Sequence, residues 1–216
     1  MKRHLLFLSL CYCHIAGAQN PVGIFRYNAD IGNPQQAGSA RYDAARQSYL
    51  LTGGGYNIWF NRDEFRYLYN KMAGNFVLTA NFAFTDTSGN GHRKIGWMIR
   101  ESDDAAAASI NAVLHGDGLT VMQWRVLRGA YMRDPEDEIF YPDKQFNGIV
   151  QLERTGKTII MRVAPEGKPL KTVGAHEMQD MRDTVLAGLF IGAHDPASTV
   201  SAKVWNVHIE GKILNN

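Results

Sequence analysis

The run KIGWMIRESDDAAAASINAVLHGDGLTVMQWR, Lys94–Arg125, breaks into three stretches of two-residue periodicity separated by short polar turns. Successive side chains on a strand point to opposite faces. In the first stretch Ile95, Trp97 and Ile99 share one face, and Gly96, Met98 and Arg100 the other. In the second, Ile110, Ala112 and Leu114 oppose Asn111, Val113 and His115. In the third, Met122 and Trp124 oppose Val121, Gln123 and Arg125. If the three strands pair as neighbours, one side is core. The other gathers Arg100, Asn111, His115, Gln123 and Arg125, and is the candidate working surface.

The same period dominates the rest of the chain. Phe76, Leu78, Ala80, Phe82 and Phe84 point one way, with Val77, Thr79 and Asn81 opposed. Further strands are expected at Arg41–Asp43, Ser48–Thr52, Ile58–Asn61 and Phe65–Lys71. Later ones are expected near Gly148–Arg154, Thr158–Ala164, Leu170–His176, Val185–Ala193 and Val200–Glu210. Glycine-rich turns such as Gly53-Gly54-Gly55 and Gly116-Asp117-Gly118 punctuate them. The run Ala105–Ala108 reads as a turn leading into a strand. Leu127–Gln145, with mixed charges, two prolines and several aromatics, reads as a long loop over one face of the fold. Many short antiparallel strands without a helical pattern imply an all-β chain, a two-sheet antiparallel β-sandwich or jelly roll.

The 216 residues fit one such domain behind a leader. Lys2 and Arg3, the apolar run Leu5–Ile15 and Ala16-Gly17-Ala18 have the form of a signal peptide, residues 1–18, leaving a jelly-roll domain over residues 19–216. A secreted or periplasmic protein is therefore expected. Both cysteines, Cys11 and Cys13, fall inside the leader, so the exported chain has no thiol or disulfide. The formal charge of +2 also resides there, on Lys2 and Arg3. No basic tract speaks for nucleic acid, and no later stretch is a candidate membrane span.

Several runs resemble a known group. Asp30-Ile31-Gly32-Asn33-Pro34, Gly53-Gly54-Gly55-Tyr56-Asn57-Ile58-Trp59, and Asp63, Phe65, Tyr67 and Tyr69 are similar to the opening of secreted bacterial concanavalin A-like/LamG-like jelly-roll domains related to the "regulation of enolase protein" family. Gly96-Trp97-Met98-Ile99-Arg100-Glu101-Ser102, Val121–Arg125 and Gly188–His194 resemble its later strands. Ala193 stands before His194 where serine is common in that group. The resemblance implies a concanavalin A-like jelly roll outside the cytoplasm, associated with carbohydrate-active enzymes, and implies sugar binding loosely.

The residues support three classes of function. A glycoside hydrolase needs two carboxylates about 5–5.5 Å or 6.5–9.5 Å apart. No strand carries such a pair; the densest acidic run, Asp134–Glu138, lies in the long loop, and Glu101 falls on the Trp97 face. A polysaccharide lyase needs a donor to neutralise a uronate and a base near the sugar C5 proton. Arg100, Arg125, Gln123 and His115 are suitable types, with Tyr131 or Tyr141 as a proton-transfer hydroxyl, but their spacing is not a lyase motif. A non-catalytic carbohydrate-binding module needs aromatic platforms and planar polar groups. The candidate ligand set is Arg100, His115, Gln123 and Arg125, with Trp59, Tyr67 or Tyr69 as stacking partners and His194 at the rim. Trp97 and Trp124 are read as core. A buried guanidinium must either pair with an acid, Glu101 or Glu153 for instance, or face a groove; the groove is the reading taken. Because GWMIRES is typical of the resembled group, Arg100 is the member most suited to a structural role. No catalytic residue is assigned and no metal site is expected. Asp86–Asn90 and Asp117 could supply oxygens to Ca2+, without a calcium-loop motif. Binding of a poly- or oligosaccharide, without catalysis, is the function expected first. The lyase or hydrolase is the alternative, and an envelope protein-interaction domain the next.

Overall fold

The computed structural model describes residues 21–133, 138–142 and 148–215. The expected signal peptide, its two cysteines and all of the acidic run except Glu138 lie outside them. Thirteen strands and no helix occur among the described residues. They are β1 (Tyr27–Ile31), β2 (Ser39–Asp43), β3 (Ser48–Gly53), β4 (Phe65–Phe84), β5 (Lys94–Arg100), β6 (Ser109–His115) and β7 (Thr120–Arg125). The remainder are β8 (Ile139–Tyr141), β9 (Gly148–Thr155), β10 (Thr158–Pro165), β11 (Lys171–Glu177), β12 (Thr184–Gly192) and β13 (Val200–Ile213). All pairings are antiparallel.

β4 makes this a sandwich. Its first half pairs with β1 and β12, its second with β9 and β13. Between the halves Gly74 adopts φ +68°, a conformation that turns the strand and that side chains with a Cβ resist. The front sheet therefore runs β1, first half of β4, β12, β5, β6, β7, β8. The back sheet runs β2, β3, β13, second half of β4, β9, β10, β11. What the sequence suggested as two strands, Phe65–Lys71 and Phe76–Phe84, is one. Even-numbered residues of β4 (Leu68, Met72, Leu78, Phe82) face the core along its whole length. They meet Ile95, Trp97 and Ile99 of β5 and Leu152, Met161 and Val204 of the back sheet. The Trp97 indole N–H donates to the Val150 carbonyl across the core at 3.1 Å, satisfying its one polar atom.

The three central strands pair as expected, β5 with β6 and β6 with β7, placing Asn111 opposite Gln123. Both faces of these strands are buried. The inner face is core. The outer face carries a second apolar cluster, Met98, Val113, Val121, Tyr67 and Phe190, capped by Ile58 from the connection before β4. That connection contains the expected strand Ile58–Asn61, which instead forms bends: its backbone folds over the front sheet and is held there by Asp63. Ala105–Ala108 forms a turn before β6, and part of the long loop forms the short edge strand β8. Among the described residues no helix is long and apolar enough to cross a membrane.

Gly74 has nothing within 4 Å of where a Cβ would stand, so only its backbone conformation resists substitution. Gly74→Ala is expected to cost about 1–2 kcal/mol in urea unfolding, with no change of fold by circular dichroism.

Candidate functional site

The polar row on the outer face of β5, β6 and β7 divides into two ends. Arg100 and Arg125 stand at one end, Lys94 and His115 at the other, and Gln123 between them.

At the first end both arginines are fully buried on one carboxylate, Asp63. Arg125 grips it bidentately, with NH1 to Oδ2 at 2.8 Å and NH2 to Oδ1 at 2.6 Å. Arg100 NH1 reaches Oδ2 at 3.2 Å, and its guanidinium lies over the Phe65 ring. The remaining donors go to backbone carbonyls. Arg125 donates to Phe60, Ala107 and Ala130, and Arg100 to Ser102 and Asp104. The groove reading is thereby corrected for these two residues. The acid is neither Glu101 nor Glu153 but Asp63, and full burial keeps both guanidinium groups from a ligand. Their work is to fasten three connections onto the sheet.

Two aromatic expectations are corrected likewise. Tyr67 is fully buried and donates its hydroxyl to the Met98 carbonyl at 3.0 Å. Tyr69 stacks between Tyr67 and Tyr27, with ring centroids 4.8 and 5.2 Å away. Its edge borders a separate depression of about 650 Å³ with Lys71, Glu101 and Arg182. Neither offers a face to a sugar in the row's own cavity.

At the second end a cavity of about 420 Å³ opens, lined by Trp59, Lys94, His115, Gln123 and His194 among others. This is within the range of small-molecule sites, roughly 300–1,000 Å³. Four of the sequence-derived candidates, Trp59, His115, Gln123 and His194, thus meet in one place. Asn57, Phe60, His92, Lys94, Arg133 and Glu138 join them. Lys94 is in phase with Met98 and Arg100 but is not among the sequence-derived candidates, and Glu138 could not be placed by periodicity, since it lies in the irregular loop.

The chemistry of the cavity follows from burial. His115 Nδ1 lies 3.1 Å from the Leu119 carbonyl, which can only accept, so that nitrogen carries the proton and Nε2 is an acceptor. Burial first, then the Lys94 charge, push the His115 pKa well below the ordinary histidine range. His194, half-buried and in the left-handed region at φ +57°, falls to about 4 for the same two reasons. Both rings are neutral at physiological pH. The Lys94 pKa is lowered to about 8 by burial, opposed by the charges of Glu138 and Asp117. Gln123 donates to Glu138 at 2.7 Å, and Arg133 donates to the other oxygen of the same carboxylate at 2.6 Å. The Arg133 guanidinium also covers one face of the Trp59 ring at 4.7 Å. Gln123 Oε1, although buried, has no hydrogen-bond partner among the described residues; nor do Ser109 Oγ and the Asn111 amide on the same face. Phe60, which lines the cavity, stacks on Tyr56 and meets Tyr131 edge-on, with centroids 6.1 and 6.3 Å apart. These three rings are 39–55% exposed, an aromatic surface of the kind that usually marks a binding site. No cluster of three His, Cys, Asp or Glu residues able to hold a metal occurs among the described residues.

No protein-family model matches this chain, and no curated protein does. Solved structures share its fold. A functionally unknown protein from Saccharomyces cerevisiae has a TM-score of 0.63 at 13% identity, over 87% of this chain and 97% of that one. A xyloglucan-locus GH43B protein of Bacteroides ovatus has a TM-score of 0.54 at 14% identity, over 77% of this chain and 33% of that one. The family 7 alginate lyase A1-II′, in complex with a product, has a TM-score of 0.53 at 9% identity, over 80% and 83%. At such identities the likeness is one of fold, and the chain is a concanavalin A-like jelly roll. The finer resemblance to the "regulation of enolase protein" group is not carried beyond that architecture.

Two variants test this division of labour. Asp63→Asn leaves two buried guanidinium groups without their counter-charge and should cost about 3–5 kcal/mol in urea unfolding. Lys94→Met should do the reverse. Depressing a lysine from 10.5 to about 8 corresponds to on the order of 3 kcal/mol of native-state cost, fully present below about pH 8 and relieved as pH rises toward 10.5. The variant is therefore expected to melt higher than the parent at neutral pH, with the difference shrinking in alkali.

Proposed function

We propose that this chain is an exported β-sandwich that binds a carbohydrate in the cavity beside Lys94, without catalysis of its own. The observation that carries the reading is the pairing of a polar, buried floor with an exposed aromatic surface. His115 and Lys94 supply hydrogen-bonding groups of both kinds. Phe60, Tyr56 and Tyr131 supply flat apolar surface against which the C–H face of a sugar ring can lie. Fold neighbours whose names refer to xyloglucan utilisation and alginate cleavage lend support from architecture alone. Export rests on the basic, apolar and small-residue pattern of residues 1–18.

A polysaccharide lyase is the second reading, favoured by one observation. A neutral His115 and a lysine of pKa about 8 face the same space. The first could take a proton and the second could neutralise a carboxylate. A two-carboxylate hydrolase is poorly served, because Glu138 is the one carboxylate among the described residues lining the cavity and is already engaged by Gln123 and Arg133.

A glycan array probed with the purified chain, followed by calorimetry on the hits, tests the reading. Phe60→Ala, at an exposed ring, should leave the fold intact and weaken binding by roughly three- to tenfold. Release of unsaturated uronate from any bound glycan would replace the module by the lyase. Absence of binding to every glycan would remove both.

A further inference from the structure

Lys94 is buried at the start of β5, yet no carboxylate lies within ion-pair distance of it among the described residues. An ammonium has three donors. One goes to the His92 carbonyl at 3.0 Å and one, weakly, to His194 Nδ1 at 3.5 Å. The third has no partner among the described residues, and the side chain lines the cavity. Other buried cations of this molecule are treated differently. Arg100 and Arg125 share Asp63. Arg154 gives its donors to the carbonyls of Gly156, Arg182 and Asp183, and Arg93 to those of Asp86, Gly89 and Asn90. A buried charge left both unpaired and incompletely hydrogen-bonded is costly. Here the missing counter-charge has an obvious place to come from.

The surroundings keep that charge isolated. Lys94 is faced by His92 from the turn before β5, His115 from the end of β6 and Asp117 from the following turn. Glu138 faces it from before β8, His194 from after β12, and Glu64 from the connection before β4. Arg133 and Glu138 neutralise each other, and the buried His115 and His194 add no charge. The same cavity is lined by His115, whose Nε2 is an acceptor. One cation and an acceptor match a ligand carrying one anion and a hydroxyl donor.

We propose that the sugar unit held in this cavity is anionic, its carboxylate or sulfate resting on Lys94 while a hydroxyl donates to His115 Nε2. This rests on the carbohydrate reading above and narrows it to acidic glycans.

Calorimetry with tetrasaccharides of mannuronate, guluronate, galacturonate and glucuronate, with the methyl ester of each, and with a sulfated galactan tetrasaccharide provides the test. At least one acidic form should bind, and for a uronate its ester should bind at least about tenfold more weakly. Lys94→Met should impose a similar loss, and Lys94→Arg should retain most of the affinity. A melting temperature at or above the parent's shows that the Met variant is folded. Affinity should also fall as pH rises through the Lys94 value of about 8, where the ammonium loses its proton. Binding by the uronates alone or the sulfated galactan alone identifies the anion. If neutral sugars or the esters bind as tightly as the acids, or Lys94→Met binds normally, the anionic assignment is overturned while carbohydrate binding stands. If no glycan of either kind binds, the carbohydrate reading falls and takes this assignment with it.

Discussion

Two arginines on one buried aspartate hold this molecule's working end together. Asp63 sits where the chain enters β4, and through Arg100 and Arg125 it joins the connection before β4 to those after β5 and β7. Three charges out of water are expensive, and an apolar replacement of equal volume can be as stable. Here the carbonyls of Phe60, Ala107 and Ala130 are bound by the same guanidinium that holds the carboxylate. A hydrophobic substitute would leave those carbonyls without donors. The same connection supplies Asn57, Trp59 and Phe60 to the cavity wall. The ion triad thus acts on the site from a distance, by positioning a wall.

The cavity inverts that logic. At the triad both guanidinium charges are answered by a carboxylate from within the protein. At Lys94 the fold leaves an ammonium partly unanswered and surrounds it with imidazoles that burial keeps neutral. One end of the row is closed by its counter-charge and the other is open. The two ends differ in residue type, a pair of arginines against a lysine and a histidine, and in what the overlying connections bring to them, since Asp63 reaches only the arginines.

That difference explains what could be read from the sequence. The in-phase row was legible because strand period is a local property, and Trp97 and Trp124 were legible as core from their apolar partners. Which row members stay accessible was not, because Asp63 lies far from Arg100 and Arg125 in sequence and no periodic pattern connects them. Tyr67 and Tyr69 failed as platforms for a related reason. Alternation places them on the outer face, but that face is roofed by Ile58 and its neighbours. Before Gly74 the aromatics Phe65, Tyr67 and Tyr69 are odd-numbered and after it Phe76, Phe82 and Phe84 are even-numbered, so the visible pattern changes phase at the bend and one strand read as two. Glu138 and Arg133 sit in a loop without period and could be found only in space.

The shared strand has a consequence for how the molecule comes apart. In many sandwiches each sheet owns its strands and the layers meet only through side chains. Here β4 lends its first half to the front layer and its second half to the back, so backbone hydrogen bonding is continuous between them. Neither layer can peel away while the other keeps its ladder intact. Partial opening is confined to the outlying strands β1, β2, β8 and β11, and the rest forms one cooperative block of long-range pairings, slow to assemble and slow to lose. For the exported, disulfide-free chain proposed above, such a block would supply by topology a resilience that secreted proteins often obtain by cross-linking.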